Sequence, residues 1–227
     1  MSRNWKIALA GLFGLACMAG QASAASVTYG PQPIGPNNAG SAGSFFLPQF
    51  DPSLGTLTKV ILMVNGFSDG GQNILDSESD FSGNASVSIG TNITVTGPAT
   101  LTVLTTPVDT NSGPIGPDDE MVFPDFAGPD SIGVFGNLST DSDMSMITSG
   151  MGPYIGLGNV TFNYSSVVNN SSSSTVSPSF TFNTPTIYSF DAKVTYEYDV
   201  IPEPSTFILA GLGAVGLVGY GLRRRVK

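Results

Sequence analysis

The sequence predicts an all-β domain, an antiparallel β-sandwich for which a jelly roll is one admissible arrangement. Three observations carry it. Apolar and polar residues alternate with period two along several short segments, Gly, Pro, Asn and Asp interrupt those segments at regular intervals, and the stretch between the chain's two ends shows no long 3.6-residue periodicity. Alternation is clearest at the end of the domain. Tyr188, Phe190, Ala192, Val194, Tyr196, Tyr198 and Val200 share one face there, and Ser189, Asp191, Lys193, Thr195, Glu197 and Asp199 share the other. Strict alternation over that length implies one buried and one wet face, as in an antiparallel sheet.

The chain begins with a processing segment, residues 1–24. Arg3 and Lys6 form a positive start, residues 7–18 an apolar helical core, and Ala22-Ser23-Ala24 a small-residue cleavage site, which predicts an N-terminal signal helix removed after Ala24. A lipoprotein signal at Cys17 is the competing reading, but Gly14 stands where a large aliphatic residue belongs. The domain that follows, residues 25–199, has 175 residues, enough for one proper core.

Along the domain, residues 26–29 read as an edge strand and 30–43 as an irregular Gly/Pro loop. Pro48 and Pro52 exclude a central strand at 44–57, so Phe45, Phe46, Phe50 and Leu54 predict a buried corner there. Residues 58–67 are nearly all apolar, the mark of a strand covered on both faces. Val87 with Ile89, and Ile93 with Val95, predict two strands joined by a hairpin at Gly90-Thr91-Asn92; residues 99–106 predict another strand. Residues 107–131 lose the alternation and read as a loop. A strand is expected at 131–138, and a short helix at 144–151 after the acidic start Asp141-Ser142-Asp143. Strands at 158–168 and around Phe180 and Phe182 flank a mobile polar tip at 169–174, giving eight to ten strands before the last one ends beside Pro202.

Composition excludes most chemistries. There is no His, and the single Cys and single Trp lie in residues 1–24, so imidazole triads, zinc–thiolate sites, thiol nucleophiles and disulfides are ruled out for the domain. Only Lys59 and Lys193 are basic between residues 25 and 199, against sixteen acids, which leaves −14. Nucleic acid and anionic lipid are therefore poor partners, because both need clustered Lys and Arg. No phosphate-cradling motif is present, and a glycosidase would have to rely on a carboxylate pair drawn from loops, so no enzymatic activity is expected. Seven Asn-x-Ser/Thr sequons read as surface composition of a Ser/Thr/Asn-rich sheet.

The acids do offer oxygen ligands for calcium. Asp76, Glu78 and Asp80 stand at alternate positions, as at the start of an EF-hand loop, although Phe81 occupies the place of the required Gly. A solvated acidic loop is the plainer reading, and the run at Asp118, Asp119 and Glu120 is open to the same two readings. Because the acids lie in loops and the apolar alternation elsewhere, folding is expected to need no metal.

The tail, residues 200–227, carries three signals in order: Pro202-Glu203-Pro204, a charge-free apolar run at 207–222, and the cluster Arg223-Arg224-Arg225 with Lys227. The run predicts a single transmembrane helix at about 206–222, roughly 24 Å long and short for a core of about 30 Å. Its basic flank places the rest of the chain outside the cytoplasm. A plain single-pass anchor would satisfy these features. The tripartite order also resembles the PEP-CTERM sorting signal of bacteria with an outer membrane. That resemblance implies an exosortase-type processing enzyme reading Pro202, Glu203 and Pro204, with Arg223, Arg224 and Arg225 as a cytoplasmic stop. It further implies transient residence in the inner membrane, then delivery to the outer surface or extracellular matrix.

A second resemblance covers residues 44–57, SFFLPQFDPSLGTL, which is similar to the opening of choice-of-anchor E domains of secreted bacterial proteins. It implies no activity. Two function classes follow. One is a structural or interaction protein of surface, biofilm or exopolysaccharide matrix; the other is a carbohydrate-binding module on the same scaffold, with Tyr154 or Tyr164 as its aromatic platform.

Overall fold

The computed structural model of the protein describes residues 24–119, 124–201, 211–217 and 220–221. The larger of two compact units consists of Ser26–Asp51 and Leu57–Glu197; the smaller gathers Pro52–Thr56 with the two chain ends. Thirteen strands occur among the described residues, and every strand pairing with a resolved register is antiparallel. They are β1 (Ala24–Asn38), β2 (Ala42–Pro48), β3 (Gly55–Asp69), β4 (Gln72–Ser77), β5 (Gly83–Thr96), β6 (Thr102–Thr105) and β7 (Val108–Ile115). β8 (Ser131–Phe135), β9 (Ser139–Ile147), β10 (Asn159–Val168), β11 (Ser171–Ser174), β12 (Ser179–Thr184) and β13 (Ile187–Val200) complete the set.

Three sheets result, in the orders β1-β13-β3-β9, β11-β5-β10-β2 and β12-β4-β8, with β6 and β7 also pairing with β5. The period-two strand behaves as its pattern requires. β13 is central in its sheet and buries Tyr188, Phe190, Ala192, Val194 and Tyr196, while Ser189, Asp191, Lys193 and Glu197 stay partly open. On its wet face Lys59 Nζ meets Glu197 Oε2 at 2.7 Å. The ring of Phe190 packs on Phe45 of β2 at 5.9 Å and on Tyr164 of β10 at 5.2 Å, so the first two sheets share one aromatic core. Tyr196 extends it through Phe50 and Tyr154, and Phe45 stacks on Phe162.

A second core lies lower along β5, built from Leu75, Ala85, Val87, Ile89, Ile115 and Val134 with Ile132 and Val176 against it. One strand serves both. The first half of β5 pairs with β7 and β11, its second half with β6 and β10. The fully buried Asn73 ties β4 into this region, its Nδ2 donating to the Ser88 and Ser171 carbonyls at 2.8 and 2.9 Å.

Several expectations are corrected. The hairpin at Gly90-Thr91-Asn92 does not exist, because β5 runs straight through it. Thr91 is buried, its N–H donates to the Pro107 carbonyl, and its hydroxyl pairs with Thr186 at 2.9 Å, so the polar groups that read as a turn are satisfied by neighbours instead. The helix at 144–151 is instead edge strand β9 with the single-turn 3₁₀ segment Gly152–Tyr154 after it. Asp141 is used elsewhere: its Oδ2 accepts from the Thr106 N–H at 2.7 Å, and β9 pairs with β3.

The Gly/Pro loop at 30–43 is largely β1, an edge strand in which Gly30 and Gly35 take φ of 105° and 102°. Both press on β13, where a Cβ would lie 2.7–2.8 Å from the Ala192 or Tyr188 carbonyl, which explains Gly inside a strand. β3 has one buried face (Val60, Leu62, Val64) and one half-open face, rather than two covered faces. Phe46 and Leu54 face solvent, whereas Phe45, Leu47, Phe50 and Leu57 are buried. The expected loop at 107–131 contains β7, and the polar tip at 169–174 supplies β11.

The transmembrane helix expected at about 206–222 lies in part outside the described residues. The described helical residues of the tail are 211–217 and 220–221, and no helix among the described residues is long and apolar enough to cross a membrane. The expected signal helix, with Ala22, lies outside the described residues; Ala24 opens β1.

Replacing Phe190 by Ala should cost about 3–5 kcal/mol in denaturant melts, since the ring is 1% exposed and touches both sheets. A loss below about 1 kcal/mol would contradict the register of β13. Replacing Asn73 by Ala should cost roughly 1–3 kcal/mol, because two strand carbonyls are left without their donor; a neutral melt would show that water or relaxed backbone takes over.

Candidate functional site

Asp76, Glu78 and Asp80 do not share one face. Asp76 closes β4 and is buried, Glu78 is half-open and Asp80 is exposed, because β4 ends at Ser77 and period two ends with it. Only Asp76 enters a carboxylate cluster. Its partners come from elsewhere in the chain: one carboxylate oxygen from each of Asp76, Asp125 and Asp130 lies within 4.8 Å of the others, and so does one from each of Asp118, Asp119 and Asp130. Asp130 belongs to both groups. Glu120 lies outside the described residues.

Backbone hydrogen bonds assemble this arrangement. The chain after β7 is held where Gly116 N–H donates to the Pro129 carbonyl at 2.7 Å and Asp118 N–H to the Ser79 carbonyl at 2.8 Å. Ser77 N–H donates to the Asp130 carbonyl at 3.1 Å, which fixes the start of β8 beside the end of β4. The segment between is shaped by Phe126 (φ 55°) and Gly128 (φ 86°), and the Phe126 ring rests on Phe182 at 5.7 Å. A Cβ on Gly128 would lie 2.5 Å from Asp119 Oδ2 and 3.0 Å from Asp130 Oδ1, so Gly there leaves room for two carboxylates at one point.

The electrostatics are severe. Asp76 is 2% exposed and Asp130 is 3% exposed. Asp76 Oδ2 accepts from the N–H groups of Asp125 and Phe126 at 3.1 and 3.2 Å, and Asp130 Oδ2 from Asp119 N–H at 3.2 Å. The second oxygens, Asp76 Oδ1 and Asp130 Oδ1, are buried with no hydrogen-bond partner. Two unit charges about 5 Å apart repel by on the order of 3 kcal/mol at an effective dielectric of about 20. Lys59 is engaged with Glu197, so it is not a counter-ion here. Burial, then the neighbouring Asp130 and Asp125, push the Asp76 carboxyl above the usual carboxylate range despite its two backbone donors. Glu78 is raised too, by desolvation and then by Asp118 and the other acids.

The aromatic platform fares otherwise. Tyr154 is fully buried, its hydroxyl donating to the Pro98 carbonyl at 2.8 Å, and Tyr164 packs against Phe190. Burial pushes the Tyr154 and Tyr196 phenols up. Tyr154 therefore offers no open face, and Tyr164 is half-buried.

Asp125 and Asp130 are the site residues that local sequence patterns missed. Their separation from Asp76 exceeds any metal-loop motif, and the one local signal was the density of Asp in a loop flanked by Gly and Pro.

Comparison with known proteins adds one assignment. Residues 200–225 match the PEP-CTERM protein-sorting motif. The match supports an exosortase-substrate signal, and with it an exported protein that ends at the cell surface or outside. Pro202, Glu203, Pro204, Arg223, Arg224 and Arg225 fall within the matched stretch but outside the described residues. No curated protein matches the chain. Solved structures with some similarity include that of the infectious bursal disease virus Gx strain, at 10% identity over 81% of this chain and 42% of that one, TM-score 0.12. The infectious bursal disease virus VP2 subviral particle matches at 12% identity over the same shares, also with TM-score 0.12. The chain thus spans less than half the length of these viral chains, and TM-scores so low carry no argument about fold.

Asp76 sets a pH dependence. A raised folded-state value means that the folded form takes up a proton before the unfolded form, whose carboxyl keeps its ordinary value of 3.8, so stability rises as pH falls through the folded value. In chelator, Asp76→Asn should be more stable than wild type at pH 7, and the gap should close as pH falls toward 4. A gap independent of pH would mean that Asp76 is not strained by its charge.

Proposed function

We propose that this chain is a non-catalytic surface or matrix protein, exported through residues 1–24 and held briefly in the inner membrane by its apolar run at 207–222. An exosortase-type enzyme acting at Pro202-Glu203-Pro204 then releases it. The observation that carries the reading is the sorting-motif match at 200–225. Three features support the rest of it. The chain has no His, and the domain has no Cys. β13 ends at Val200, two residues before Pro202, so processing leaves the antiparallel domain whole. The two sheets meeting through Phe45, Phe190 and Tyr164 support a β-sandwich.

Exopolysaccharide or biofilm matrix is the proposed setting, since a strongly acidic, Ser/Thr/Asn-rich surface stays hydrated among polymers. The choice-of-anchor E reading of residues 44–57 belongs to the same proposal and is supported by the burial of Phe45 and Leu47 in edge strand β2, which ends at Pro48, and of Phe50 and Leu57 after it. The carbohydrate-binding alternative loses ground, because Tyr154 and Tyr164 lie against the core.

The test leaves the apolar run and the Arg cluster in place. With Pro202-Glu203-Pro204 changed to Ala-Ala-Ala, membrane insertion should continue while processing fails. The protein should then collect in the inner membrane at its longer mass, by fractionation and mass spectrometry. Appearance of the variant outside the cell at the wild-type shortened mass would show that the tail is not read through this tripeptide.

A further inference from the structure

We propose that Asp130, with Asp76, Asp119 and Asp125, forms a calcium site, a role independent of the sorting tail. Acidic clusters are common without ions, so the number of carboxylates does not carry this. The carrying observation is the state of two oxygens. Asp76 Oδ1 and Asp130 Oδ1 belong to residues at least 97% buried, sit on two carboxylates of the same cluster and have no hydrogen-bond partner among the described residues. A buried carboxylate oxygen without a donor is costly, and a bound cation removes that cost.

The geometry selects the ion. Asp76, Asp125 and Asp130 bring their oxygens within 4.8 Å of one another, a spacing that one central ion with ligands at about 2.3–2.6 Å spans. Asp130 is the pivot, since it belongs to both groups and its Oδ1 and Asp119 Oδ2 both lie beside Gly128. The second oxygens of Asp76 and Asp130 are already oriented by backbone N–H groups, which sets both side chains before an ion arrives. The donors are all hard oxygens, those of Asp119, Asp125 and Asp130 on irregular segments. This suits calcium, which tolerates variable geometry, better than magnesium, which demands a near-ideal octahedron, and leaves nothing for zinc or copper to prefer.

The site also has a mechanical consequence. Asp76 ends β4, Asp119 follows β7, and Asp125 and Asp130 precede β8, so one ion clamps three segments beside the second core. Folding itself is expected to need no metal, and calcium, once bound, should tighten this end of the domain.

The test uses the full-length chain purified in detergent, with calcium chloride as the probe and magnesium chloride as the comparison. Titration calorimetry should give one calcium per chain with a Kd on the order of 10⁻⁴ M or tighter, and at least tenfold weaker magnesium binding. Millimolar calcium should raise the melting temperature by ~5 °C over chelator. Asp130→Asn should lose that shift, and Asp80→Asn, whose side chain lies outside the cluster, should keep it. Because Asp130 is buried, Asp125→Asn serves as a second variant that should fold and bind at least tenfold more weakly. Wild-type protein that binds no calcium in calorimetry and melts identically in calcium and chelator would overturn the proposal, as would undiminished binding by both folded variants.

Discussion

The rings on the inner face of β13 are the constraint on which the structure depends. With no Cys in residues 25–199, no disulfide can hold the domain, and its order rests on packing. Phe190 meets Phe45 and Tyr164; Tyr196 meets Tyr29, Phe50 and Tyr154. Each ring removes about 150–250 Å² from water, so a few of them supply much of the core's apolar burial. The register is correspondingly strict. Slipping β13 by one residue would drive Asp191, Lys193 and Glu197 into this core.

The same rings hold the connections. The Tyr196 hydroxyl donates to the Pro48 carbonyl at 2.9 Å, that of Tyr154 to the Pro98 carbonyl, and the Tyr188 and Ser41 hydroxyls share a hydrogen bond at 2.6 Å. Each ring is apolar against its neighbours and polar at its tip, so it packs in the core while its hydroxyl is hydrogen-bonded to the chain around it. The Gly- and Pro-rich segments are therefore ordered by the core they enclose.

Charge organises the opposite end of the domain. With sixteen acids against two lysines in residues 25–199, the lysines are too few to pair with most of the carboxylates. The domain gathers Asp76, Asp118, Asp119 and Asp125 around Asp130, near the ends of β4 and β7 and the start of β8. A protein delivered outside the cell meets calcium at far higher levels than one kept in the cytosol, so the sorting tail and the acidic junction are chemically consistent without depending on one another.

Much of this was legible before any coordinates. The inner face of β13 followed from period two alone, because a regular alternation over that length has one low-energy burial pattern. The tail's meaning also lay in its order of Pro-Glu-Pro, apolar run and Arg cluster, which is read as a linear signal. Tertiary structure decided what depends on partners distant in sequence. Residues 144–147 form a strand because β3 offers an edge there, and Gly90-Thr91-Asn92 is not a turn because Pro107 and Thr186 satisfy its polar groups. Asp76 left its sequence neighbours Glu78 and Asp80 and joined Asp125 and Asp130, about fifty residues away, through backbone hydrogen bonds that no local pattern encodes. Local periodicity determines which face of an element is buried; which elements then meet depends on the global packing of the aromatic and aliphatic cores, and the acidic site exists only at that level.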